Sequence, residues 1–173
     1  MKKWIIAAVS ATLLIGMNGC VQTNDISVEN MTNEKANLKA YKTYQFLDES
    51  GIVVADKDGK LHHDEDKKAA AMIEEIINTQ LQKAGKVPTS KEPDFFVAYV
   101  GGTDKHAVET KLDEKGKKIV ENIPEAALII LLIDAQTGAV LRISTAEGEL
   151  KSLTPDDRKV RIEYAVKKML KDI

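Results

Sequence analysis

Residues 126–134, AALIILLID, place leucine or isoleucine at six positions in a row. A strand sends alternate side chains to opposite faces. Leu128, Ile130 and Leu132 would then share one face and Ile129, Leu131 and Ile133 the other, so both faces are apolar. A strand of this kind belongs inside a sheet covered on both sides. A short buried helix is the alternative for so uniform a run. The isoleucines, the Gln136-Thr137-Gly138 turn and the alternating residues 139–147 (AVLRISTAE) as a hairpin partner favour strands.

The rest of the chain supplies covering elements and further strands. Residues 40–47 (AYKTYQFL) read as a strand with Tyr44 and Phe46 on one face. Residues 48–63 read as a long loop, in which Ile52, Val53, Val54 and Leu61 can form a small hairpin around Asp58-Gly59. A helix is expected over 64–84. Asp64 can cap it, Glu65 and Asp66 suit its positive end, apolar residues recur from Ala69 through Leu81 at spacings of three and four, and Gly85 stops it. Residues 95–100 (FFVAYV) are apolar on both faces, and 103–124 show no pattern. Thr154-Pro155-Asp156-Asp157 opens a last helix with a hydroxyl cap and Pro at its first position. Ile162, Ala165, Val166, Met169, Leu170 and Ile173 form its apolar stripe.

The expected fold is an α/β two-layer sandwich, β-α-β-β-β-α. A right-handed crossover makes the first two strands parallel, the last three are antiparallel, and both helices lie on one face of a mixed four-stranded sheet. Two helices cover one face only. The apolar second face is expected to be closed by the loops 48–63 and 103–124, or else to meet a partner, a second copy or an acyl chain. Either Leu128, Ile130 and Leu132 or Ile129, Leu131 and Ile133 would form that partner surface.

The N-terminus sets location. Lys2 and Lys3 precede an apolar run over residues 4–15, and Gly16-Met17-Asn18-Gly19-Cys20 follows. A dozen mainly apolar residues are too few for the ~30 Å hydrocarbon core, so the run reads as a cleaved signal. Cys20 is the only cysteine, which rules out an intramolecular disulfide. The stretch resembles the lipobox of bacterial lipoproteins, with Gly19 and Cys20 matching. That resemblance implies a diacylglyceryl group on the Cys20 thiol and an acylated amine, and two or three chains anchor stably where one is marginal. With Val21 rather than Asp after the cysteine, resemblance to Gram-negative sorting implies the outer membrane, periplasmic side. Residues 1–19 are then the signal peptide, 20–39 the lipidated cysteine and a polar tether reaching at most about 60 Å at ~3.3 Å per residue, and 40–173 a single domain.

Taken together, Tyr41-Lys42-Thr43-Tyr44-Gln45-Phe46, Pro93-Asp94-Phe95 leading to Val97 and Tyr99, the turn from Asp134 to Gly138, Ala146-Glu147-Gly148 and the closing helix resemble a family of bacterial lipoproteins carrying a domain of unknown function. The resemblance spans residues 40–173 and implies no catalytic residues. That family often has Gly where Ala126 or Ala127 stands and Trp where Arg142 would align. Both positions are expected to line a surface that differs here.

Few features point to chemistry. Without Lys2 and Lys3 the basic residues fall from 25 to 23 against 27 acidic ones, a net charge of −4. Mild acidity with interspersed signs gives no footprint for nucleic acid. The sole tryptophan, Trp4, would leave with the signal. No nucleophile elbow, zinc-protease, phosphate-loop or dinucleotide fingerprint occurs, so no enzyme is expected. His62-His63-Asp64-Glu65-Asp66, with His106, is the one metal-like cluster, yet neighbouring histidines in an extended segment diverge and the acids suit a helix start. No cofactor is expected, and His62 and His63 stay weak metal candidates. The expected function is a membrane-anchored, non-enzymatic binding or assembly module, meeting an envelope protein or a second copy through the second sheet face or an edge strand. The alternative is a periplasmic carrier of a small apolar ligand or metal ion.

Overall fold

The computed structural model describes residues 21–48, 50–55, 61–63, 67–102, 111–112, 118–119, 127–149 and 153–173. Its elements in chain order are β1 (Ser27–Thr32), β2 (Thr43–Phe46), β3 (Gly51–Ala55), β4 (Leu61–His63), α1 (Lys67–Lys83), β5 (Val87–Pro88), β6 (Phe95–Gly102), β7 (Lys111–Leu112), β8 (Lys118–Ile119), β9 (Ala127–Asp134), β10 (Val140–Glu147) and α2 (Pro155–Met169). Eight strands form one mixed sheet in the order β1-β10-β9-β6-β2-β5, with β3 alongside β6 and β4 alongside β3. β7 and β8 pair separately.

The four strands expected from the sequence are β2, β6, β9 and β10, with the expected directions: β2 runs parallel to β6, while β6, β9 and β10 are antiparallel. The sheet is larger than the expected four strands because short segments prolong it at its edges. β3 continues the line of β2 along β6, pairing Gly51 with Val100 where β2 pairs Phe46 with Val97, and turns back into β4 as the hairpin that Leu61 suggested. Asp58-Gly59 lies outside the described residues. β5 adds two residues at the other edge, where Pro is tolerated because an edge strand leaves one row of amides unpaired.

The larger correction concerns residues 20–39, expected as a flexible tether. Residues 27–32 are instead an edge strand, in antiparallel register with β10 from Ser27↔Glu147 to Thr32↔Arg142. An edge strand needs one apolar face at most, and Ile26 and Val28, two apart, supply it by packing on the helix-side core. Their spacing was the available signal. Folded chain therefore begins at least twelve residues before the expected boundary at 40.

α1 and α2 cover one face. Ile73, Ile76, Ile77 and Leu81 of α1 and Ala165, Val166 and Met169 of α2 join Tyr44, Phe95, Val97, Tyr99, Leu128, Ile130 and Leu132 in one core. α1 ends in a Schellman motif: Gly85 adopts φ 79°, the Lys86 amide donates to the Leu81 carbonyl at 3.0 Å and the Gly85 amide to Gln82 at 2.9 Å. Asp64 to Asp66, expected to open this helix, lie outside the described residues. α2 starts as expected, with Thr154 Oγ1 accepting from the Asp157 amide at 3.1 Å and Pro155 at the first position. Val53, Ala127, Ile129, Leu131 and Ile143 form a second cluster on the opposite face, with Ile133 packed against it. Ile129 is 2% exposed and Leu131 8%, so the middle of this face is buried, with Ala98, Val100, Ile133 and Val140 partly buried around it. Of the two candidate partner surfaces, Leu128, Ile130 and Leu132 lie under the helices, and Ile129, Leu131 and Ile133 belong to the second cluster.

Candidate functional site

Polar side chains gather at the two ends of the sheet. At one end the β9–β10 turn, the starts of β2 and β6 and the end of α1 come together. Asp134 shapes the turn: Oδ1 accepts from the Gln136 amide at 3.0 Å, the Thr137 amide at 2.7 Å and Thr137 Oγ1 at 2.8 Å, while Gly138 takes φ 71°. Oδ2 accepts from the Tyr41 hydroxyl at 2.6 Å. Asp94 Oδ2 accepts from the Lys42 and Thr43 amides at 2.6 and 2.8 Å, tying the start of β6 to the start of β2. Lys86, 4% exposed, donates to the carbonyls of Leu38 and Tyr41 at 2.7 and 2.9 Å.

These contacts explain the Tyr41–Phe46 and Pro93–Phe95 motifs as one joint. Phe95 meets Tyr41 edge-on at 6.2 Å and Tyr44 at 5.7 Å, and Phe46 continues the series to Tyr99 at 6.3 Å. The Tyr44 hydroxyl donates to Asn78 Oδ1 and the Tyr99 hydroxyl to the Ala70 carbonyl at 3.0 Å, locking α1 to the sheet. Burial pushes the Tyr99 phenol up to about 12. The crevice lined by Leu38, Tyr41, Lys86, Phe95, Leu132 and Ile173 is too narrow to hold a water molecule.

The electrostatics of this end are those of a structural joint. The Tyr41 hydroxyl, followed by the Thr137 amide and hydroxyl, holds Asp134 down at about 2. The Lys42 and Thr43 amides hold Asp94 below the ordinary carboxylate range. Burial pulls Lys86 below the usual lysine value, and the charge of Lys42 adds to the effect. Acceptors saturated by fixed donors and held ionised are poor proton donors near neutral pH. A folded pKa depressed below the unfolded value near 3.9 contributes stability that is present above about pH 4 and lost as pH falls towards about 2. Urea midpoints should therefore fall with acid over that interval in the wild type. Asp134→Asn should flatten part of that slope, and an unchanged slope would mean that Asp134 is not differentially protonated on folding.

At the opposite end the chain enters the domain. Arg161, 7% exposed on α2, donates from Nη1 to Asp25 Oδ1 at 2.8 Å and from Nη2 to Asp25 Oδ2 at 2.5 Å. Nη1 also donates to the Gln22 carbonyl, and the Glu149 amide donates to Asp25 Oδ2 at 3.1 Å. The Arg161 hydrogen bonds hold the Asp25 carboxyl well below its usual range. Gly148 admits the pair: a Cβ there would sit 3.1 Å from Arg161 Nη2 and 3.3 Å from Ile26 Cγ1. This gives a physical reason for the Ala146-Glu147-Gly148 motif. Sequence reading missed Asp25 and Arg161 because they lie 136 residues apart and neither is unusual where it stands.

The remaining candidates fare differently. Cys20 and His106 lie outside the described residues. His62 and His63 lie on β4, paired with Val54 and Val53. Among the described residues no group of three or more His, Cys, Asp or Glu could hold a metal ion. Arg142, expected to line a variable surface, is instead 6% exposed between the sheet and the end of α2.

Comparison with known proteins addresses the fold and the family. No functionally curated protein matches the chain. Among solved structures, a DUF4136 family protein from Bacteroides thetaiotaomicron VPI-5482 is similar at 13% identity and a TM-score of 0.59, over 84% of this chain and 94% of that one. A PelC dodecamer from Paraburkholderia phytofirmans matches at 15% identity and 0.49, over 84% and 94%. A PDZ domain protein from Parabacteroides distasonis ATCC 8503 matches at 18% and 0.49, over 82% of this chain and 35% of that one. The family profile of the domain of unknown function DUF4136 matches residues 28–173, from β1 to the last residue, and the chain belongs to that family.

Proposed function

We propose that this protein is a lipid-anchored component of the bacterial cell envelope, held through Cys20 on the periplasmic side of the outer membrane, and that it is a non-enzymatic binding or assembly module. The basic start, the apolar run and Gly19-Cys20 support the anchor. The observation that carries the binding role is the edge of the sheet at β1. Among the described residues this six-residue strand pairs on one side only, with β10. An open row of backbone donors and acceptors is a template for adding a strand from another chain. With one sheet face under the helices and the middle of the other buried, the edge is the surface best suited to a partner. Met31, 51% exposed beside Ile143, offers an added strand an apolar side chain.

The register separates binding from folding. The Asn33 amide donates to the Leu141 carbonyl at 2.9 Å, and amides alternate along a strand. Glu29 and Met31 therefore direct their amides to β10, and Val28, Asn30 and Thr32 direct theirs outward. Thr32→Pro removes an outward donor and should abolish crosslinking of the protein to its partner or to itself in intact envelopes, with unfolding midpoints nearly unchanged. Met31→Pro removes a ladder bond and should destabilise the domain by about 3 kcal/mol. Undiminished crosslinking of a well-folded Thr32→Pro protein would refute binding at this edge.

A further inference from the structure

The stem between anchor and domain is too short to act as a tether. The Gln22 carbonyl is already held by Arg161, a turn closes between the Ile26 amide and the Thr23 carbonyl at 3.1 Å, and Asp25 forms its two-pronged pair with Arg161 at side-chain exposures of 10% and 8%. β1 follows at Ser27. From Cys20 to Gln22 there are two residue steps, about 7 Å fully extended, and to Asp25 five, about 17 Å. The polar stretch that could have floated the domain tens of ångströms from the bilayer is built into the fold instead.

The direction of the sheet shows which end of the domain lies next to this stem. β1 starts opposite Glu147, the last residue of β10, and β10 runs away from that point for eight residues, about 27 Å at 3.4 Å each. Asp25, Glu149 and Arg161 mark the near end. The Asp134–Gly138 turn, Asp94 and Gly85 mark the far end. α2 runs from near to far, since Arg161 sits at the near end while the Met169 carbonyl meets Ser144 further along β10.

Resting on the lipid-anchor reading, we propose that the domain stands directly on the bilayer by its Asp25–Arg161 end, in one orientation, with the β9–β10 turn facing the aqueous side. The surface it meets is the lipid headgroup layer. The open edge of β1 then runs upward from the membrane, and a partner strand would meet it side-on.

The test uses full-length protein, exported, acylated and reconstituted into phosphatidylethanolamine–phosphatidylglycerol vesicles carrying a headgroup-linked nitroxide. A fluorophore on Lys159→Cys, an exposed position two residues before Arg161, should be quenched several-fold more than one on Gln136→Cys in the far turn. Inserting about eight Gly and Ser residues between Val21 and Gln22, a spacer of about 15 Å root-mean-square reach, leaves the Asp25–Arg161 pair intact and should remove most of the difference. Equal quenching of the two sites in the uninserted, acylated protein would overturn the fixed orientation alone. Mass spectrometry of the same sample reads the anchor: an unacylated Cys20 would overturn the anchor reading and this inference with it.

Discussion

Ile130→Asp is expected to abolish folding. Ile130 is 1% exposed, lies mid-strand in β9 between Tyr99 of β6 and Ser144 of β10, and faces the core beneath both helices. Truncating a large aliphatic side chain at such a site costs about 2–5 kcal/mol, and a carboxylate left there without a partner adds several more. A domain of this size has a total stability of about 5–15 kcal/mol, so the sum approaches or exceeds it. Circular dichroism and solubility after export should show no cooperative transition. Leu131→Asp probes the other face. Leu131 is buried with Ile129 and Ile143, so it too should lower stability, by less than Ile130→Asp because its cluster is smaller. A Leu131→Asp protein that melts like wild type would mean that the second face tolerates water, and would return that face to consideration as a docking surface.

Arg142→Ala should be the most damaging change to a polar residue. The last carbonyls of a helix lack partners inside it, and they carry the negative end of its dipole. Here the sheet supplies the partners. Arg142 Nη1 donates to the Lys171 carbonyl at 2.8 Å, Ser144 Oγ donates to Met169 at 3.0 Å while accepting from Arg142 Nε at 3.2 Å, and Asn30 Nδ2 of β1 donates to Lys168 at 3.2 Å. Beyond them the chain leaves the helix through Asp172 at φ 63°. Burial lowers the Arg142 pKa, and the charge of Asp172 opposes that shift. Alanine would take the donor away from the Lys171 carbonyl, leave Ser144 with its Met169 bond only, and open a void where the 6%-exposed side chain was, at a cost of about 2–4 kcal/mol in denaturant unfolding. Arg142→Met, which restores most of the volume without the donors, should recover part of the loss. A change below about 0.5 kcal/mol, the range typical of surface substitutions, would show that the guanidinium does not cap α2.

The position of Arg142 also illustrates how a β-bulge hides from sequence. The register between β10 and β9 shifts between Val140 and Arg142, so Leu141 and Arg142 both face the helices while Val140 packs on the other side. Simple alternation through 139–147 puts neighbours on opposite faces, and nothing local announces the extra residue.

What the sequence determined by itself was whatever depends on near neighbours. The two helices follow from spacings of three and four, from Gly85, which alone suits a left-handed C′ position without penalty, and from the Thr154–Asp157 cap. The central strands follow from apolar runs too short for helices and from the Thr137-Gly138 turn. The helix between the first two of them makes those two parallel, as β2 and β6 are. The tertiary structure decided the rest because its causes lie far apart along the chain. β1 is a strand because β10 offers it a backbone edge and Arg161 holds Asp25, and the two-apart spacing of Ile26 and Val28 is the one trace of it in a mostly exposed stretch. Lys86 is buried because the carbonyls of Leu38 and Tyr41 await it across the fold, and Arg142 because the end of α2 does. Long-range polar pairing leaves no periodicity in a sequence, since the energy comes from the meeting of two groups and neither group shows it alone.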